Sequence, residues 1–188
     1  MPLELWLKVT DTKSGKVELH QLSRSWTHVF AQLMASDVKG SALSSPVYDV
    51  SGADRKGVVV VSALWDATCN SGSNAYGIVV GTSASAESIY DNKLVAICQQ
   101  GVSAGQLQYG TCTIQDPNES SGTMSMIIQR LVTNQSGGTI TINEIGVYVY
   151  IYNNGSYYFC IIRDVLGVGV AITNGSSKLI EYVFQLVN

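Results

Sequence analysis

The last third of the chain is written in short apolar alternations broken by Asn-Gly pairs. Residues 139–152, 156–165 and 177–187 read as strands joined through Asn154-Gly155 and Asn174-Gly175. Asn-Gly between alternating runs is the strongest local hairpin signal, so this region is expected to form a β-meander. A two-residue loop sets Tyr152 opposite Tyr157, Tyr150 opposite Phe159 and Tyr148 opposite Ile161 on one face. Ile151/Tyr158, Val149/Cys160 and Val147/Ile162 then share the other. Both faces are apolar, whereas a half-solvated sheet alternates apolar with polar. One face is expected in the core and the other under a cover from the same chain or a neighbouring subunit. Within 139–152 the apolar phase changes from Ile140 and Ile142 to Ile145, Val147 and Val149, which predicts a bulge near Glu144, Ile145 and Gly146.

Upstream, Leu3, Leu5, Leu7 and Val9 alternate, the turn residues 11–15 follow, and Val17, Leu19 and Gln21 lead back, which predicts a first hairpin. Trp26, Val29, Phe30, Leu33 and Met34 then recur at helical spacing, with Ser23 or Ser25 as N-cap. Residues 37–57, rich in Ser, Gly and Asp, predict a linking arm. Further strands are expected over residues 58–64, 76–82, 94–100, 106–114 and 123–133. The fold expected is mainly β: an antiparallel β-sandwich, jelly-roll-like, with an N-terminal β-hairpin and one short α-helix. A boundary is expected between a docking unit over residues 1–56 and a sandwich over 57–188.

Charge removes several functions from consideration. Only 13% of the 188 residues are charged and the net charge is −3, so the clustered Lys and Arg that neutralise phosphates are missing and nucleic acid is not an expected partner. No apolar run reaches the roughly 18 to 20 residues that span a bilayer, and no membrane partner is expected. The start, Met-Pro-Leu-Glu-Leu-Trp, has no basic segment followed by an apolar one, which argues against export by a cleaved signal. The four Asn-X-Ser sequences at 118, 134, 154 and 174 are read as turn chemistry.

Chemistry is sparse. Cys69, Cys98, Cys112 and Cys160 lack CxxC spacing, so they are expected as buried thiols, with no metal or other cofactor. His20 and His28 have no nearby acidic or thiol partner in a recognisable catalytic order, no GxSxG occurs, and no enzyme is expected. Glu144 and Arg163 are expected to meet diagonally across the hairpin as a structural ion pair, with Asp164 turned away. The residues expected at an interface are Trp26, Phe30 and Leu33 on the helix and Tyr148, Tyr150, Tyr152 and Tyr157 on the hairpin. Clustered tyrosines also suit a surface that stacks against sugar rings.

The succession of residues 76–82 (YGIVVGT), 105–110 (GQLQYG), 133–137 (TNQSG), 143–148 (NEIGVY) and 160–165 (CIIRDV) resembles small virion structural proteins of tailed viruses of prokaryotes. The resemblance covers residues 76–188 and extends weakly to the helix at 25–34. It implies a non-enzymatic component of the particle, on the head as a decoration or vertex protein or on the tail, made in the host cytoplasm. Its partners would be further copies of the chain and other virion proteins. An adhesion module of a tail fibre that binds a host-surface glycan is the alternative, and an extracellular filament subunit the next.

Overall fold

The computed structural model describes residues 3–23, 25–58 and 65–187, the side chain of Val187 excepted. The order is β1 (Leu3–Asp11), β2 (Val17–Leu22), α1 (His28–Lys39), β3 (Gly77–Gly81), β4 (Gln108–Ser120), β5 (Thr123–Thr133), β6 (Ile140–Tyr152), β7 (Ser156–Ile172) and β8 (Ser177–Val187). Two antiparallel sheets result: a five-stranded one ordered β2-β1-β8-β5-β4 and a three-stranded one ordered β3-β6-β7. The fold is mainly β with an N-terminal hairpin and one short helix, as the alternation predicts.

The core lies between the sheets. Leu5, Leu7 and Val9 of β1, Ile180 and Tyr182 of β8, and Ile128 and Val132 of β5 meet Ile145, Val147, Val149 and Ile151 of β6, all buried. Each such side chain contributes about 1.5–3 kcal/mol on leaving water.

The N-terminal hairpin is not a separate packing unit. β1 pairs with β8 at nine successive positions, Leu3↔Leu186 to Asp11↔Lys178, so a chain divided between residues 56 and 57 would lose two strands of its larger sheet. The boundary expected there therefore does not divide two packing units.

The helix starts two residues later than a Ser25 cap would place it and is capped differently. Thr27 holds the N-cap position in extended conformation without a capping bond. Its hydroxyl donates instead to the Cys160 carbonyl at 2.7 Å, while Ser23 donates to Asp164 and Ser25 to Glu87. The helix runs through Asp37 and Lys39 and ends where Gly40 turns left-handed at φ 63°, so the arm is shorter than residues 37–57. Val29 and Leu33 are fully buried.

The hairpin β6–β7 departs from the expected register near its tip. A type I′ loop needs positive φ at both central residues. Ser121 and Gly122, between β4 and β5, satisfy this at 52° and 77°, whereas at the β6–β7 tip Asn154 takes φ 51° and Gly155 stays outside the left-handed region. The loop therefore holds three residues. Tyr152 faces Ser156, Tyr150 faces Tyr158 and Tyr148 faces Cys160. A bulge at Ile161 restores the expected pairing from Val147↔Ile162 to Glu144↔Val165. The second irregularity falls between Ile142 and Glu144, just ahead of the expected position.

The meander also ends early. β7 and β8 lie in different sheets, so the turn at Asn174-Gly175 is a crossover, and β5 to β6 is another. The fully buried Asn134 ties them together. Its Nδ2 donates to Gly138 O at 2.7 Å and Ile172 O at 2.6 Å, and its backbone N–H donates to Ser176 O at 3.0 Å.

Residues 94–100 form no regular strand; Ile97 makes a single bridge to Gly81. The amides of Val95 and Ala96 donate to the Glu144 carboxylate at 3.1 and 2.7 Å, which takes them out of any ladder. The strand expected over 58–64 lies, from residue 59 onward, outside the described residues.

A chain beginning at Gly57 is expected to lack the near-complete sandwich because β8 loses the partner along one whole side. Its far-ultraviolet circular dichroism and amide exchange should show no cooperative unfolding, while the full chain melts in one transition.

Candidate interaction surface and buried polar clusters

The three-stranded sheet is apolar on both faces, and the second face is covered from within the chain. Val79, Leu94, Tyr148 and Cys160 form a small buried cluster there, flanked by Val50, Tyr76 and Ile97. Tyr148, 4% exposed, accepts the Leu94 amide on its hydroxyl at 2.6 Å. The covering segments have little regular structure, and a buried ion pair holds one of them. Arg163 and Glu144 are 1% and 0% exposed. Arg163 Nε donates to Glu144 Oε2 at 2.9 Å, Nη1 to Asp91 Oδ2 at 2.6 Å, and Nη2 to Ser85 O at 2.9 Å. The Glu144 carboxylate accepts the two loop amides already described. A Cβ at Gly81 would stand 2.5 Å from Glu144 Oε1, so glycine is needed for the carboxylate to lie against β3. With its donors and acceptors taken up by the loop, this cluster fixes structure and presents no group to a substrate.

Asp164 points to the opposite side, into the core. It accepts Ser23 Oγ at 2.8 Å and Tyr182 Oη at 2.8 Å, and burial pushes its carboxyl above the ordinary range. Sequence patterning did not single out Arg130, which enters the interior from β5. Its Nε donates to Gly110 O at 2.9 Å and Nη1 to Ile78 O at 2.9 Å, its Nη2 donates to Ser73 O, and the guanidinium lies 4.7 Å from the Tyr109 ring centroid. Alternation along β5 places position 130 inward with Ile128 and Val132, which was the available signal.

The residues expected at an interface divide. Leu33 is fully buried and Tyr148 nearly so, so both are closed to a partner. Trp26, Phe30, Tyr150 and Tyr157 are half-buried, and Tyr152 is 66% exposed. Trp26 stacks on Phe30 at 4.1 Å between centroids and contacts Phe184 at 6.0 Å.

That contact lies at the margin of an open apolar end. The inward side of the larger sheet continues past the smaller one, ending in the cross-strand row Leu3, Leu186 and Met124. These are 65%, 39% and 45% exposed, although their strand parity matches the buried Leu7, Tyr182 and Ile128. Phe184 and Met126, one row inward, are half-buried. A cleft of about 320 Å³ beside them is lined by Leu3, Leu5, Leu22, Ser23, Trp26 and Glu4. The edge strand β4 beside this end is blunted: Pro117 lacks an N–H and sits where the register shifts between Gln115 and Asn118. Contact here must therefore run through side chains rather than an added strand.

A second cavity, about 450 Å³, is lined by Asp66, Thr68, Asn70, Tyr76, Cys69 and Cys112, with Thr111, Thr113 and Ile114. The rings of Tyr76, Tyr150 and Tyr158 gather nearby at 5.4–5.9 Å. Among the described residues no group of three or more His, Cys, Asp or Glu side chains is arranged to hold a metal, and no helix is long and apolar enough to cross a membrane.

Fold and surface define a two-sheet antiparallel β-sandwich with one open apolar end. Compared with known proteins, the chain matches no family model, no curated protein and no solved structure significantly.

Replacing Arg163 by Met leaves Glu144 buried without its counter-charge, and loss of one partner of a buried pair costs about 3–5 kcal/mol. Urea denaturation should show a loss of this size for Arg163→Met, against less than about 0.5 kcal/mol for Lys13→Met on the exposed β1–β2 turn.

Proposed function

We propose that this chain is a non-enzymatic structural protein that assembles with further copies of itself, of the virion type its segment order resembles. The observation that carries the reading is the row Leu3–Leu186–Met124, where core-facing positions of three neighbouring strands run out of sheet to pack against. Exposed apolar surface of this kind, flanked by the half-buried Trp26 and Phe184, is the composition of an interface centre. The row is uncharged, which suits apposition of like surfaces in a symmetric contact. The opposite end of the same sheet carries the Lys178 ammonium, bonded to Asp11 at 2.9 Å and Glu18 at 2.8 Å, so the two ends of these strands differ in polarity. The low overall charge also fits a surface that neighbours cover.

Size exclusion with light scattering on the full chain is expected to give an oligomer. Met124→Lys with Leu186→Lys should raise its dissociation constant at least about tenfold, equivalent to about 1.4 kcal/mol, without altering the circular dichroism. A wild-type chain that stays monomeric at high concentration would overturn self-assembly.

A second reading, a sugar-binding adhesion module, is favoured by Tyr76 standing in the 450 Å³ cavity beside Asp66 and Asn70. Aromatic faces with acidic and amide partners suit sugar rings and hydroxyls. A glycan array should then return hits that Tyr76→Ala abolishes; an array without hits removes this reading.

A further inference from the structure

Cys69 and Cys112 stand directly opposite one another across an antiparallel bridge. The Cys112 N–H donates to Cys69 O at 2.9 Å, and the Cys69 N–H to Cys112 O at 3.2 Å. Residues that exchange both backbone bonds sit about 5.5 Å apart at Cα with side chains on one face, within the roughly 4.4–6.8 Å that a disulfide bridges. The Cys69 thiol donates to Tyr76 O at 3.2 Å, and the Cys112 sulfur accepts the Ile78 N–H at 3.5 Å. Space for them is set by Gly77, where a Cβ would come 2.9 Å from Cys112 Cβ and 3.0 Å from its Sγ. Both cysteines line the 450 Å³ cavity, while Cys98 and Cys160 do not.

We infer that Cys69 and Cys112 form a reversible redox pair, oxidised by a small peroxide entering this cavity and closed as a cross-strand disulfide. The adjoining Cys112 thiol, together with the Arg130 guanidinium, holds the Cys69 thiol down at about 7 against the effect of burial. Proximity to Cys69 and burial hold Cys112 up. Cys69, 4% exposed against 0% for Cys112, is the attacking thiolate and Cys112 the resolving thiol. The Cys69 thiolate attacks one peroxide oxygen, the O–O bond breaks, and sulfenic acid and hydroxide result. Cys112 Sγ then attacks Cys69 Sγ, the S–O bond breaks, and hydroxide leaves. With the two thiol protons, both hydroxides become water: two thiols are oxidised and one peroxide is reduced. Cys98, pushed up to about 11 by burial, and Cys160, raised further by complete burial, stay as thiols. The bridge ties the segment around Cys69 to β4, an edge of the larger sheet. A reducing compartment keeps it open and an oxidising one closes it. This inference is independent of self-assembly.

The full chain is treated with hydrogen peroxide while folded, the remaining thiols are alkylated after unfolding, and the digest is mapped without reductant. The expected result is one linked peptide, Cys69 to Cys112, reversed by dithiothreitol, with Cys98 and Cys160 alkylated. In Cys112→Ser, dimedone should label Cys69. The oxidation rate should rise about tenfold per pH unit up to about 7 and level off above it. A map in which Cys69 and Cys112 are both alkylated would overturn the inference, as would Cys69 over-oxidised to sulfinic acid beside an alkylated Cys112. A rate still climbing at pH 9 would overturn the assignment of Cys69 as the attacking thiolate.

Discussion

The charge pair between Arg163 and Glu144 is the constraint on which the smaller sheet depends. A three-stranded sheet with two apolar faces can press only one of them against its partner sheet. The other has to be roofed by chain with little regular structure, whose amides and carbonyls would otherwise be buried unpaired. Arg163 resolves this by donating to the carbonyls of Ser85 and Ala86 and to Asp91, while Glu144 receives the amides of Val95 and Ala96. The two ions neutralise one another at 2.9 Å and together satisfy the loop laid over them. Replaced by apolar residues, they would leave several loop groups without partners, so the pair's contribution is the placement of the roof more than its own Coulomb energy.

The mismatch between a five-stranded and a three-stranded sheet has a second consequence. At one end the mismatch is closed. Asn134 clasps both crossovers, and Lys178 gathers Asp11 and Glu18. At the other end β1, β5 and β8 run on past the smaller sheet, and their inward positions carry the same kind of residue as the core does. Because parity along a strand is fixed, Leu3, Met124 and Leu186 have no other face to occupy. An apolar row left open while the far end of the same strands is polar gives the molecule two unlike ends.

Much of this was legible in the residues. Alternation located β5 and β8 to the residue, and the Glu144/Arg163 pairing followed from counting across β6 and β7. What failed did so for physical reasons that a linear pattern does not carry. The composition of the Asn154-Gly155 tip allows a two-residue loop; with Gly155 outside the left-handed region, the loop gains a residue and the bulge at Ile161 absorbs it. Asn174-Gly175 has the same composition, yet Asn134, forty residues earlier in the chain, draws that turn into a crossover between sheets. Residues 94–100 have strand-like composition, but a side-chain carboxylate takes the amides a ladder would use. Tyr148 and Leu33 look like surface anchors in a list of large apolar residues, and only the folded neighbourhood shows that the chain itself has used them.

The cysteines extend that argument from packing to reactivity. Four thiols with no mutual spacing gave no reason to separate one from another, and burial alone would make all of them inert. Pairing changes this for two of them. The bridge between residues 69 and 112 sets two sulfurs side by side, and Arg130, brought in from β5 to satisfy carbonyls of Gly110, Ile78 and Tyr76, lends its charge to both. The same guanidinium therefore closes the backbone accounting at the start of β3 and lowers the neighbouring thiol. Reactivity at Cys69 arises as a by-product of how the interior was filled, and the glycine at position 77 leaves the room in which it acts.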